Sequence, residues 1–192
     1  MSAIFFDLDN TLFNVEQYFY GAFKKISRYL SKKHNLSRKK IQKKLKDLWK
    51  NKSSMYPNLF DDLLNFYELD ENIEDIIKMF NNYDGKIKPY KDVISTLSEF
   101  KKRNYKLGII TDGNIQRQKR KIRLLGIQDF FDIIICTSEL NSPKPSEAPF
   151  KEAIHRLKGK PNKIYYVGDN PLVDFKGAKK NGLLRNKKTD RN

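Results

Sequence analysis

A short apolar run, Ile4-Phe5-Phe6, opens the chain and leads directly into Asp7-Leu8-Asp9-Asn10-Thr11. Such a run reads as a buried parallel strand. Side chains alternate along a strand, so residues two apart leave from the same face. Asp7 and Asp9 are therefore expected to point together into the crevice at the strand's carboxyl end, where open α/β sheets bind ligands. Two carboxylates that close require a metal ion, a shared proton or separate roles. Burying both without a partner would be too costly.

Three later segments follow the same plan. Residues 104–110 read as a second strand ending in Thr111-Asp112-Gly113-Asn114, which brings a hydroxyl and a glycine turn to a helix start. Residues 132–136 read as a third strand, followed by Ser142-Pro143-Lys144-Pro145-Ser146. Residues 163–167 read as a fourth, ending in Gly168-Asp169-Asn170-Pro171-Leu172-Val173-Asp174. In a parallel sheet these polar groups gather along one edge.

Between the first strand and the rest, the periodicity turns helical. Residues 15–34 place Phe19, Ala22, Phe23, Ile26, Tyr29 and Leu30 on one side. Ser37 caps a second helix carrying Ile41, Leu45, Leu48 and Trp49, Pro57 opens a third, and Asn72 caps a fourth. From Asp92 the rhythm becomes βα, with helices over 115–125, 146–158 and 173–180. Alternating βα elements imply a parallel sheet covered on both faces. The expected organisation is a discontinuous α/β core, residues 1–14 and 86–192, with a helical insert at 15–85.

In order, the motifs Asp7-x-Asp9-x-Thr11, Thr111, Lys144 and Gly168-Asp169-x4-Asp174 resemble those of the haloacid dehalogenase-like phosphohydrolases over about residues 1–180. The resemblance implies a Rossmann-like three-layer core with a parallel sheet, plus a small all-helical cap domain. It implies a phosphatase acting through an aspartyl-phosphate, with Asp7 as nucleophile and Asp9 as general acid and base. Thr111, the amides of Asp112 and Gly113, and Lys144 would bind the phosphoryl group. Mg²⁺ would be held by the Asp7 side chain, the Asp9 backbone carbonyl and the Asp169 side chain, with Asp174 and Asn170 supporting. Dehalogenases of the family lack an acid at the second position, because halide leaves without a proton, so Asp9 favours phosphoryl chemistry. Arg117 and Gln118 are expected to face core or solvent. After Leu184 no apolar alternation is visible, so the family's final core strand is expected to be missing or divergent.

The net charge of +16 is concentrated in residues 24–52, which hold thirteen Lys or Arg against the single acid Asp47. This segment reads as a solvated helical surface, with a nucleic-acid contact as the alternative. A nucleic-acid groove would interleave exposed aromatics with the basic residues. Tyr29 and Trp49 instead fall at apolar helical positions. No run approaches the roughly 18 apolar residues of a membrane span, and a strand beginning at Ile4 leaves no room for a signal peptide. Cys136, the one cysteine, reads as an inert core thiol. The expectation is a cytoplasmic Mg²⁺-dependent phosphatase of a small phosphorylated metabolite, a sugar phosphate first, of unassigned oligomeric state. The alternatives are a sugar phosphomutase of the same fold and a nucleic-acid-binding or end-processing protein.

Overall fold

The structure is a computed structural model that describes residues 2–52, 56–157, 159 and 161–187. The chain divides into two compact units, Met1–Val15 with Ile87–Asn192, and Glu16–Lys86.

The first unit is built on a five-stranded parallel sheet. Its strands are β1 (Ser2–Phe6), β2 (Lys106–Thr111), β3 (Ile133–Cys136), β4 (Lys163–Gly168) and β5 (Leu184–Lys187), in the spatial order β3-β2-β1-β4-β5. The hydrophobic run at the start of the chain takes the central place, because it is apolar on both faces. Ala3 and Phe5 join Ile110, Ile133, Ile135 and Tyr166 in a core against Phe150 and Ala153. Phe6, on the other face, meets Phe100 and Phe131 at ring separations of 6.4 and 6.2 Å. Phe150 and Ala153 belong to the helix Ala148–His155, and Phe100 to Val93–Lys102, so helices cover opposite faces of the sheet.

The terminal core strand, expected to be missing or divergent, is present in divergent form. Leu184–Lys187 pairs in parallel with β4, in the register Tyr165↔Leu184 to Gly168↔Lys187. The ladder is made by backbone N–H and C=O groups, and an edge strand has a partner on one side only. It therefore forms without the apolar alternation that marks a central strand. The remainder of the tail, 188–192, and the end of the helix expected over 146–158 at Lys158 lie outside the described residues.

Among the described residues, the second unit contains four helices, α1 (Glu16–His34), α2 (Arg38–Lys52), α3 (Leu59–Phe66) and α4 (Ile73–Asn81). Asn72 caps α4 by accepting from the Glu74 amide. The core is aromatic: Phe80 lies within 5.1–6.2 Å of Tyr18, Phe19, Phe23 and Phe60, centroid to centroid. Tyr18 is fully buried, and its hydroxyl donates to the Phe80 and Asn81 carbonyls. Trp49 stacks on Phe19 at 4.8 Å, and the Tyr29 hydroxyl donates to Glu71, so neither ring is a free platform for a nucleobase. His34 and Lys33 also close on Glu71, whose side chain is 3% exposed. Burial alone would raise the Glu71 carboxyl, but its bonds to His34, Lys33 and Tyr29 hold it below its ordinary value.

Tyr83 fixes the middle of α1 to the chain leaving the unit. A Cβ on Gly21 would fall 2.1 Å from the Tyr83 hydroxyl oxygen, and one on Gly85 would fall 2.0 Å from it. The ring also packs edge-on against Tyr18 at 5.2 Å, so it cannot retreat from one glycine without meeting another group. In an open helix, Gly21→Ala would stabilise by about 1 kcal/mol. Here overpacking costs about 1–3 kcal/mol and should win. The variant is expected to melt at a lower temperature than the native protein, whereas the same change in a Tyr83→Leu background should raise the melting temperature.

Candidate active site

The carboxyl ends of β1, β2 and β4 and the loop after β3 together build the site. β1 stops at Phe6, and the Asp7 amide continues its ladder by donating to the Val167 carbonyl at 2.9 Å. The chain then turns sharply. Asn10 adopts a positive φ of 60°, which Asn tolerates better than most residues, and the Thr11 hydroxyl folds back onto Asp7 Oδ2 at 3.2 Å. Asp7 and Asp9 thus leave from the first residues beyond the strand rather than from the strand itself.

Each of the two carboxylates has its own lysine. Lys144 Nζ donates to Asp7 Oδ1 and to Asp174 Oδ1, both at 2.7 Å, and lies 3.2 Å from the Tyr166 hydroxyl. Asp9 is held by Lys121 Nζ at 2.8 and 2.7 Å, one distance to each oxygen, and Gln118 Nε2 reaches Asp9 Oδ2 at 3.3 Å. Gln118 also donates to the Thr111 hydroxyl at 2.6 Å. Gln118, expected to face core or solvent, is fully buried with its amide on two predicted site residues. It and Lys121 lie on the helix Ile115–Leu124, three residues apart and so on one face. Asn114 caps that helix through the Arg117 amide, directly after Gly113, where φ is 111°.

Asp112 has a structural task for its side chain. Oδ1 accepts from the Thr137 hydroxyl at 2.7 Å and from the Lys144 amide at 3.0 Å, tying the loop that carries Lys144 to the end of β2. Asp174 is equally committed: Oδ1 serves Lys144 and Tyr166, and Oδ2 accepts from the Asn170 amide at 3.0 Å. Asn170 turns its own side chain to cap the turn, accepting from the Leu172 amide at 3.1 Å. Asp174 packs so close to Gly168 that a Cβ there would fall 2.3 Å from its Oδ2, which explains a glycine before Asp169.

Burial pushes the Asp7 carboxyl up to about 7, with Lys144 opposing the rise and Asp174 and Asp9 adding to it. Burial also works against the Lys144 ammonium, but Asp7, Tyr166, Asp174 and Asp112 outweigh it and hold the group well above its ordinary value. Lys121 goes the other way: burial lowers it despite the attraction of Asp9. Asp169 is half-buried and raised, first by burial and then by Asp174. Burial pushes the Cys136 thiol up to about 11, so it stays protonated in the core.

Carboxylate oxygens of Asp7, Asp169 and Asp174 lie within 4.8 Å of one another. Carboxyl groups outnumber ammonium groups here, with Asp7, Asp9, Asp169 and Asp174 set against Lys144 and Lys121, an imbalance that a divalent cation would offset. All the available donors are hard oxygens, which suits Mg²⁺. Asp174 accepts from three protein donors, Lys144, Tyr166 and the Asn170 amide, and Asp7 from two, one of them the longer 3.2 Å bond from Thr11, so Asp7 and Asp169 are the side chains that better fit direct ligation.

Two features went unseen in the sequence. Tyr166 lies inside an apolar strand, and nothing in its spacing reveals that its hydroxyl joins Lys144 and Asp174. Gln118 and Lys121 carried a usable signal, two polar residues three apart on the buried face that also bears Ile122.

Residues 4–185 match the family described as haloacid dehalogenase-like hydrolase. A glyceraldehyde 3-phosphate phosphatase of Methanocaldococcus jannaschii is 33% identical over 189 residues, 96% of this chain and 83% of that protein. Pyrophosphatase PpaX of Bacillus cereus is 30% identical over 176 residues, 88% of this chain and 75% of that protein. The crystal structure of a HAD phosphatase from Thermococcus onnurineus superposes with a TM-score of 0.67 at 26% identity, covering 100% of this chain and 89% of that one. A 2-haloacid dehalogenase from Pseudomonas syringae, at 23% identity and a TM-score of 0.67 over 96% of this chain and 85% of its own, shares the fold.

Asp7 sets a pH dependence that can be read in melting curves. Its folded carboxyl keeps a proton up to about 7 against an ordinary 3.8. Its contribution to stability is therefore full below the ordinary value and is lost as the pH rises through about 7. Asn in its place has no proton to lose. In chelator-treated protein, the melting temperature of Asp7→Asn minus that of the native protein should rise between about pH 4 and about pH 8. A difference independent of pH would contradict this assignment.

Proposed function

The chain belongs to the haloacid dehalogenase-like hydrolases, and from that premise we propose that it is a Mg²⁺-dependent phosphatase of a small phosphorylated metabolite. The observation that carries this reading is the division of labour between two aspartates of one loop. Asp7 is 7% exposed and shares Lys144 with Asp174, whereas the Asp9 side chain is 31% exposed and is held by Lys121. Two carboxyl groups in unlike environments suit a nucleophile and a proton carrier.

In this reading the Asp7 carboxylate attacks the phosphorus and becomes an aspartyl-phosphate, which splits a very slow hydrolysis into two displacements. The Lys144 ammonium, fixed on Asp7, offsets the charge that gathers on the transferred oxygens. The Thr111 hydroxyl and the amides of Asp112 and Gly113, at the start of the following helix, receive those oxygens. Asp9 gives its proton to the leaving oxygen and takes one from the attacking water. Mg²⁺, held by Asp7, the Asp9 carbonyl and Asp169, would supply positive charge beside these carboxyl groups.

The names of the relatives direct the choice of substrate, with glyceraldehyde 3-phosphate, sugar phosphates and pyrophosphate first. We assign residues 16–86 as the family's cap and the source of substrate selection, on their position between the Asp7 and Thr111 motifs. The basic residues 24–52 are read as a solvated helical surface. No helix among the described residues is long and apolar enough to cross a membrane, and a cytoplasmic site of action is part of the proposal.

Phosphate release should be measured on those compounds, phosphoglycolate and a 3′-phosphorylated oligonucleotide, with Mg²⁺ and with chelator. Release is expected with Mg²⁺ only, absent from Asp7→Asn and lowered about 10²–10⁴-fold in Asp9→Asn. Undiminished release by Asp7→Asn would refute the reading.

A further inference from the structure

Lys121 is 1% exposed, and the covalent chemistry proposed above does not call for an ammonium at its position. Burying one is expensive, so what it binds is informative. Its partners include both oxygens of Asp9, at 2.8 and 2.7 Å, so no oxygen of that carboxylate is left without it. One turn earlier on the same helix face, Gln118 bridges Asp9 Oδ2 and the Thr111 hydroxyl oxygen, at 3.3 and 2.6 Å. A hydroxyl oxygen that accepts from an amide must aim its own hydrogen elsewhere. Gln118 therefore turns the Thr111 hydrogen away from itself, toward the Asp112 carbonyl at 3.5 Å, a long bond that an incoming phosphoryl oxygen would replace. One helix face holds both the proton carrier and the phosphoryl-binding hydroxyl.

We propose that Lys121 is a positioning residue that holds the Asp9 carboxylate ready between the two displacements, with Gln118 linking Asp9 to Thr111. The proposal rests on the phosphatase reading. In the first displacement the bond from Asp7 to phosphorus forms while the bond from phosphorus to the leaving oxygen breaks, and the Asp9 proton passes to that oxygen. Asp9 is left as a carboxylate, and the Lys121 ammonium receives it. In the second, water attacks phosphorus and gives a proton to Asp9. The bond from Asp7 to phosphorus breaks, releasing inorganic phosphate and restoring the Asp7 carboxylate and the Asp9 carboxyl. Asp9 moves off Lys121 to meet the substrate, which its 31% exposure permits.

A structural counterion and a positioning residue differ in their dependence on the leaving group. Alkoxide departs only with a proton, whereas 4-nitrophenolate departs without one. With Mg²⁺ present, kcat/KM should be compared for the best alkyl phosphate of the panel and for 4-nitrophenyl phosphate, in native protein, Asp9→Asn, Lys121→Met and Lys121→Gln. We expect Lys121→Met to lose about 10²-fold on the alkyl ester and only several-fold on the nitrophenyl ester, the pattern of Asp9→Asn. Lys121→Gln, which keeps a hydrogen-bond donor, should show the same pattern more mildly and carries the comparison if Lys121→Met does not fold. Equal losses on both esters, or no loss on either, would overturn the positioning role. A native protein that cleaves neither ester would overturn the phosphatase reading, and this inference with it.

Discussion

The site depends on one buried ammonium. Lys144 joins Asp7 to Asp174, and with Tyr166 it forms a cluster almost sealed from water. Removing the lysine would leave two carboxylates facing each other in a low dielectric, which is far more costly than any single surface pair is worth. The loop that carries Lys144 is accordingly anchored at its backbone: the Asp112 carboxylate accepts from the Lys144 amide and from Thr137. Gly168 serves the same end from the other side, since only a residue without a Cβ lets Asp174 approach so closely. Four strand ends of a parallel sheet are thus tied to one another by charge as well as by the backbone ladder.

A second lysine gives the site its asymmetry. If Asp7 and Asp9 shared one environment, they would compete for one cation and one proton. Instead, of these two carboxyl groups, the helix after β2 serves Asp9 with Lys121 and Gln118, and the loop after β3 serves Asp7 with Lys144. The same fold supports a dehalogenase, so the architecture does not select the chemistry. In the proposed function, what selects it here is the presence and the separate holding of the second carboxyl group.

The sheet and most of the site could be read in the sequence because both rest on strong local signals. The apolar runs before Asp7, Thr111 and Asp169 announced strands, and the cap at Asn72 and the glycine turn at Gly113-Asn114 marked helix starts that the structure contains. The edge strand at Leu184 was not legible, because backbone pairing at an edge leaves little trace in side-chain pattern. Tyr166, Gln118 and Lys121 escaped for another reason. Their roles depend on what faces them across 7 to 112 positions of chain, and a periodicity argument sees only the element on which a residue sits.

The clasp of Tyr83 between Gly21 and Gly85 has an implication for how such a chain can change over time. Because its first helix and its departing chain are locked to one ring, the helical insert is closed within itself. A segment that secures its own two ends behaves as a cassette. It can be lengthened, recombined or replaced by another insert of similar end spacing while keeping its own core, and under the proposed function the chemistry at Asp7 would be inherited while the choice of substrate drifts.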